Sequence, residues 1–411
     1  MIHMNKVLQK SFFIVPLLVF VVLFSGCSKK KQEKTLENQP YGGVLRSEDM
    51  GKSFSPRSIV EVEGKANKTL ASTNVLSIAI DPKDDNIMYV GTESSGIFRT
   101  EDAGKKWKRL DFSPKYTPVI AVDPINTNII YASAIFEGRG RLFKSEDSGQ
   151  KWREVYVEPR SNTHVSALAI SPYDSNVIFL GTSSAKGHST LSKSLNGGET
   201  WIDLYDATST FSNISFDAKD SEIVYAYNSK KDIIRTNDGG KTWQILADIS
   251  KKEKKIMEKK IYADCRKSFK DSRDIRECKE REIEKRGIHF YDGVVFSFLS
   301  HPRAAGVLYV GTNKGLYRSR DYGVDWDEVD IISSSKGLPI RGLAASPEGY
   351  GMLYVAGKSV YVRPDKENEW AITDTKSNRD VVVATYSPKD PNVIYLGLKI
   401  IKKKKKGMFS F

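Results

Sequence analysis

Cysteine and histidine are scarce in this chain, with 3 Cys and 5 His among 411 residues. The histidines are His3, His164, His188, His289 and His301. No two stand four apart, so no zinc helix can be read and no metal is expected. There is no G-x-S-x-G elbow, no Walker loop and no G-x-G-x-x-G in a strand–helix setting. These absences remove the common signatures of nucleophilic hydrolases and nucleotide enzymes, and with them any expected cofactor. The longest N-terminal apolar run, Phe12 to Phe24, is short for a membrane-spanning helix. Acidic charge is in deficit: 64 Lys and Arg face 51 Asp and Glu, a net charge of +13. Tryptophan is also rare, and its placement is the most informative feature present.

All 6 Trp close one repeated segment. The segments are SEDMGKSF (from Ser47), TEDAGKKW (Thr100), SEDSGQKW (Ser145), SLNGGETW (Ser194), TNDGGKTW (Thr236), SRDYGVDW (Ser319) and the degraded RPDKENEW (Arg363). A Ser/Thr hydroxyl and an Asp carboxylate can hold a tight turn by bonding nearby backbone N–H groups. Gly supplies a left-handed backbone position. Trp then starts the outgoing strand and buries a large ring. In the form S/T-x-D-x-G-x-x-W, the segment resembles the Asp-box, or BNR repeat, of sialidase-like and sortilin-like β-propellers. The resemblance implies that Asp49, Asp102, Asp147, Asp238 and Asp321 are structural clasps and not catalysts, as are Trp107, Trp152, Trp201, Trp243, Trp326 and Trp370. The first five of these Trp are expected to be largely buried between outer strands.

Three strand-like runs precede each box after the first, as in Val75 to Ile80, Ile87 to Thr92 and Gly96 to Arg99, with Asp81-Pro82 as the first turn. The layout returns down the chain, with an aromatic in the second strand: Tyr89, Tyr131, Phe179, Tyr225, Tyr309, Tyr354 and Tyr395. Four strands per repeat of about 40 to 50 residues describe a propeller blade. Gly42 to Val60 lacks first and second strands, and Val381 to Leu398 lacks a box, so together they form one blade. The fold class is therefore all-β: a single seven-bladed β-propeller over residues 42–398, closed by mixing the two chain ends. Gly407 to Phe411 resembles a surplus strand, and residues 399–411 are read as a Lys-rich tail.

Lys6 and Lys10 precede the apolar run, and Ser25-Gly26-Cys27 follows it, which reads as a secretory signal over residues 1–26. Leu23-Phe-Ser-Gly-Cys27 resembles the lipobox of bacterial lipoproteins. That resemblance implies lipidation of Cys27, a membrane contact through the lipid, and a tether at residues 27–41. Ser28 follows Cys27, which by the Gram-negative sorting rule implies an outer-membrane, cell-envelope location.

One stretch, residues 249–288, belongs to no repeat and falls between blades five and six when the mixed blade is counted first. Ile249 to Arg286 holds 15 Lys/Arg against 9 Asp/Glu. Met257, Ile261, Cys265 and Phe269, then Ile275, Cys278 and Ile283, mark one narrow apolar stripe on each of two helices. A helical hairpin turning at Asp271-Ser272 brings Cys265 and Cys278 together, and an oxidising compartment favours their disulfide. The alternative is a disordered basic loop with two free thiols.

For function, sialidases of this repeat carry an Arg-Ile-Pro segment, and Arg57-Ser-Ile-Val60 does not match it. Xyloglucanase-type glycosidases share the repeat grammar but place two carboxylates between two propellers. The seven-bladed photosystem II stability factor and the sortilin luminal domain are similar in repeat type and bind polypeptides. The resemblance thus implies a monomeric, non-catalytic propeller that binds a protein or glycan, in the manner of an assembly factor. The alternative is a divergent glycosidase or lyase with a site in the central pocket, and a third reading is a purely structural envelope element. Export argues against nucleic acid. The second-to-third loops vary while the boxes do not, so binding is expected on a cationic rim of Arg139, Arg141, Lys186, His188, Lys230 and Lys231, facing an acidic partner.

Overall fold

A computed structural model describes residues 42–62, 68–184, 188–228, 233–286, 289–332, 338–348, 351–364 and 369–401. The expectations for the signal, Cys27, the tether, Lys186, Lys230, Lys231 and residues 402–411 lie outside these. Seven four-stranded antiparallel sheets form the ring. Blade 1 joins both chain ends: Val44–Ser47 pairs with Ile394–Lys399, in register Val44↔Gly397 to Ser47↔Ile394. Asp380–Tyr386 lies inside this pair and Ser55–Pro56 outside it. Blades 2 to 7 follow at 75–109, 120–157, 163–207, 211–245, 295–329 and 340–374. Closing the ring with chain-end strands leaves no blade lacking its third strand at the seam.

The second strand of each blade is the most deeply buried. Met88–Thr92, Val224–Asn228, Leu308–Thr312 and Met352–Ala356 are buried at every position. All seven second-strand aromatics are buried, from Phe179, Tyr225 and Tyr354 at 0% exposure to Tyr309 at 6%. Apolar clusters form between blades rather than within them: Val44 and Tyr395 of blade 1 pack with Val75, Met88 and Trp107 of blade 2. Six of the seven inner strands slip register by one residue near their start, as between Val75 and Ser77 or Val295 and Ser297. Such a bulge increases local twist and bends the strand.

Helix α1 (Leu246–Ser268) and helix α2 (Ser272–Arg286) form the hairpin. The insertion starts earlier than the expected residue 249, because the fourth strand of blade 5 is only Gln244–Ile245 before the helix begins. Asp271 caps α2: its Oδ1 accepts from Arg273 N at 2.7 Å. Among the described residues, no helix is long and apolar enough to cross a membrane.

Candidate functional site

The repeated turns are built identically at six places. The Ser/Thr hydroxyl accepts the glycine N–H four residues on: Ser47 from Gly51 (2.8 Å), Thr100 from Gly104 (3.1 Å), Ser145 from Gly149 (2.8 Å) and Thr236 from Gly240 (2.9 Å). Ser194 and Ser319 accept likewise from Gly198 and Gly323. The acid at the third position accepts a backbone N–H four residues on, as Asp102 does from Lys106, Asp147 from Lys151, Asp238 from Thr242 and Asp321 from Asp325. Asn196 does the same with Thr200, so charge is not required. Hydrogen bonds from the Thr242 hydroxyl and N–H hold the Asp238 carboxyl well below the usual carboxylate range. The Lys151 N–H does the same for Asp147. At Gly323 φ is +88°, and an added Cβ would lie 2.5 Å from Leu246 Cδ1. Neither the backbone nor the space admits a side chain there.

These turns are also where one blade grips the next. The residue before the glycine offers its carbonyl to the second-strand aromatic of the preceding blade. Tyr131 Oη donates to Gly197 O at 2.8 Å, and Tyr89 Oη to Ser148 O at 3.4 Å. Blade 4 has Phe179 instead, with no hydroxyl, and Lys193 Nζ makes the bond to Gly239 O at 2.7 Å. In blade 5 Arg235 Nη1 reaches Tyr322 O at 2.6 Å. These cations stand directly across the strand pair from the aromatics: Arg99↔Tyr89, Lys144↔Tyr131, Lys193↔Phe179, Arg235↔Tyr225. Several lie over the ring, Arg99 at 5.8 Å and Lys193 at 5.2 Å.

The expectation that five Trp are largely buried is only partly met. Trp107 is 0% and Trp326 2% exposed, but Trp152, Trp201 and Trp243 are half-buried. In the two sealed cases the connection from the preceding blade covers the ring, whereas Trp152 stays half-buried with Phe112 of its connection at 4.9 Å. Trp107 is covered by Ile59–Val60, whose Ile59 O accepts the Trp107 N–H. Trp326 lies under Phe290 and Tyr291, the latter at 5.1 Å. Connections of a few residues precede the blades of Trp201 and Trp243, and both residues are half-buried.

On the same face as the boxes, a side chain closes the first turn at the end of each inner strand. Asp81 accepts from Lys83 N, Asp123 from Ile125 N, and Ser387 from Lys389 N. In blade 6 His301 Nδ1 accepts from Arg303 N and Ala304 N, so this histidine closes the turn. The turns converge on a cavity of about 520 Å³ at the channel mouth. Its floor is apolar, with Ile80, Val122, Leu168, Ile170, Ile214 and Phe216. Pro82, Pro124, Pro172 and Pro302 line its rim, with Tyr173 beside them. The only acid in the lining is Asp217, which is 1% exposed. Its Oδ1 accepts from Lys219 N and its Oδ2 from Gly306 N. Reading the sequence by variability pointed to the loop face and passed over this mouth. The signal that marks it is the proline recurring just after six of the seven inner strands, with Ala218 in its place in blade 5.

On the loop face, Arg139 and His188 are exposed. The Arg141 guanidinium is divided between Glu154 (2.5 Å) and Glu137 (2.6 Å) and rests over Phe136. The hydrogen bond that Arg141 donates to the Glu154 carboxylate holds its pKa above the ordinary value. Two carboxylates thus offset the charge that Arg141 was expected to offer a partner. Cys265 and Cys278 are joined by a disulfide, with Cα atoms 6.0 Å apart. Among the described residues no cluster of His, Cys, Asp or Glu is arranged to hold a metal ion.

A family model described as "Sortilin, neurotensin receptor 3" matches residues 140–286. No curated protein matches the chain in sequence. Among solved structures, the GH74 xyloglucanase of Xanthomonas campestris is similar at TM-score 0.57 and 15% identity, over 79% of this chain. This chain spans about half, 51%, of that enzyme. A structure described as YCF48 bound to D1 peptide is similar at TM-score 0.53 and 13% identity, over 80% of this chain and 94% of that one. YCF48 from Cyanidioschyzon merolae is similar at TM-score 0.53 and 12% identity, over 79% and 95%. By its fold the chain is a seven-bladed β-propeller, and its residues 140–286 are similar to the sortilin family.

Proposed function

We propose that this chain is an exported, lipid-anchored, non-catalytic propeller that holds a polypeptide partner at the channel mouth. The carrying observation is the cavity of about 520 Å³, whose floor is apolar and whose one carboxylate is already engaged by two backbone N–H groups. Glycoside hydrolysis needs two carboxyl groups facing the scissile bond, and this lining has one. An apolar concavity with a proline rim suits an extended peptide that inserts an apolar side chain. The similar structure described as YCF48 bound to D1 peptide supports a polypeptide over a glycan. The proposed anchor is lipid on Cys27, which places the ring at the cell envelope.

Ile170→Asp with Tyr173→Asp puts charge on the floor and rim, at positions that are already partly exposed. Crosslinking to envelope extract should recover a polypeptide with the parent ring and lose it with this variant. Equal recovery by both would exclude the channel mouth, and hydrolysis of an envelope polysaccharide by the parent would favour the enzyme reading. Separately, Cys27→Ser should leave the membrane fraction or accumulate as precursor. A processed variant that stays membrane-bound would exclude lipid as the anchor.

A further inference from the structure

The hairpin has a second surface that its own packing leaves unused. Its inward stripe is consumed by the contact of α1 with α2, where Ile261, Cys265 and Cys278 are 5%, 3% and 8% exposed. On a helix, residues three and four apart share a face. Lys252, Lys255, Lys259, Tyr262 and Arg266 follow that spacing and are all exposed. Ile256 adjoins them at 51% exposure, and Tyr262 is 45% exposed with Arg266 above its ring at 5.9 Å. The stripe is about 21 Å long at 1.5 Å per residue.

We infer that this face of α1 rests on an anionic lipid bilayer. Four cations in a straight row complement a surface of many dispersed negative headgroups. The flexible, hydrated ammonium of lysine suits diffuse charge better than the fixed fork that arginine offers a protein carboxylate. An isoleucine and a tyrosine among the cations are the side chains that enter the headgroup boundary beside a basic face. The disulfide keeps α1 on α2, so the stripe is presented as one rigid edge.

The full chain carries an apolar N-terminal run that can bind lipid without charge, so the quantity to measure is a ratio. Partition of the full-length protein is compared between vesicles of phosphatidylcholine alone and vesicles with about 30% phosphatidylglycerol, at low and at near-physiological salt. A lysine near an anionic surface contributes about fivefold. The parent should favour the anionic vesicles by about tenfold or more at low salt, and by less as salt rises. Lys255→Glu with Lys259→Glu should lower that preference by about 25-fold or more, two lysines at about fivefold each. Lys255→Gln with Lys259→Gln should fall between them. Lys105→Glu with Lys108→Glu, the same charge change on exposed residues of blade 2, should lower it less than about threefold. A parent ratio near one, an unchanged ratio in both stripe variants, or an equal fall in the blade 2 control would each overturn the inference. Circular dichroism confirms that the variants keep their helices.

Discussion

In the ring, each apolar cluster is shared by two blades: Phe179 and Leu191 of blade 4 pack with Phe211, Ile214 and Val224 of blade 5. In the hairpin, one small cluster is shared by two helices and is centred on a covalent bond, with Met257, Phe269, Ile275 and Ile283 only partly buried around it. The ring repeats one modest clasp many times, and each clasp is backed by packing. The hairpin has too little apolar surface to order itself that way, so a crosslink substitutes for a core. Repetition makes the ring tolerant of a lost hydrogen bond but not of a lost ring side chain. The hairpin should show the reverse.

The largest effect should follow Trp107→Ala. It empties a fully buried site between blades 1 and 2, and ring stability should fall by about 3 to 5 kcal/mol in chemical denaturation. A loss under about 1 kcal/mol would mean that the inter-blade clusters do not carry the ring. Next comes Cys265→Ser with Cys278→Ser. A crosslink over a separation of 13 residues is worth about 3 kcal/mol, all of it local to the hairpin. Hydrogen exchange in α1 and α2 should rise sharply while the melting temperature of the ring stays put. A matching fall in the ring transition would show that the two regions fold as one.

A smaller effect tests the clasp. Lys193→Met removes the bond to Gly239 O and should cost about 1 kcal/mol. Adding Phe179→Tyr should restore part of it, because Tyr131 makes the equivalent bond unaided in blade 3. If the double variant is no more stable than Lys193→Met alone, the hydroxyl and the ammonium are not interchangeable.

The smallest effect should follow Asp238→Asn, since Asn196 fills the same position in blade 4. The Asp238 pKa is depressed by the Thr242 hydroxyl and N–H. A depressed carboxyl stabilises the fold above its unfolded pKa and loses that contribution as pH falls. Any advantage of the parent should therefore be full at pH 7 and shrink below about pH 4. An advantage that grows in acid would reverse the assignment.

The blade count, the mixed closure and the hairpin were legible in the sequence because each rests on local chemistry. A Ser, an Asp and a Gly at fixed spacing make the same turn wherever they occur, and apolar alternation marks the strands between. The depth of each tryptophan was not legible. Trp107 and Trp243 end near-identical segments, yet one is sealed and the other half-open. The difference lies in the connection arriving from the preceding blade. The ion pairs of Arg141 were not legible in full for a related reason: Glu137 lies in its own loop, but Glu154 comes from the neighbouring strand. The cations paired with the second-strand aromatics were visible as the residue before each Ser or Thr, but their role depends on cross-strand register.

By itself, then, the sequence determined how many blades this chain forms, where its ends meet and where its helices interrupt the ring, since these follow from turn chemistry and periodicity a few residues wide. Only the tertiary structure decided which face holds a cavity, which charges remain available and which tryptophans are sealed. These are properties of neighbours on adjacent strands and adjacent blades, brought together by a ring in which every blade is completed by the one beside it.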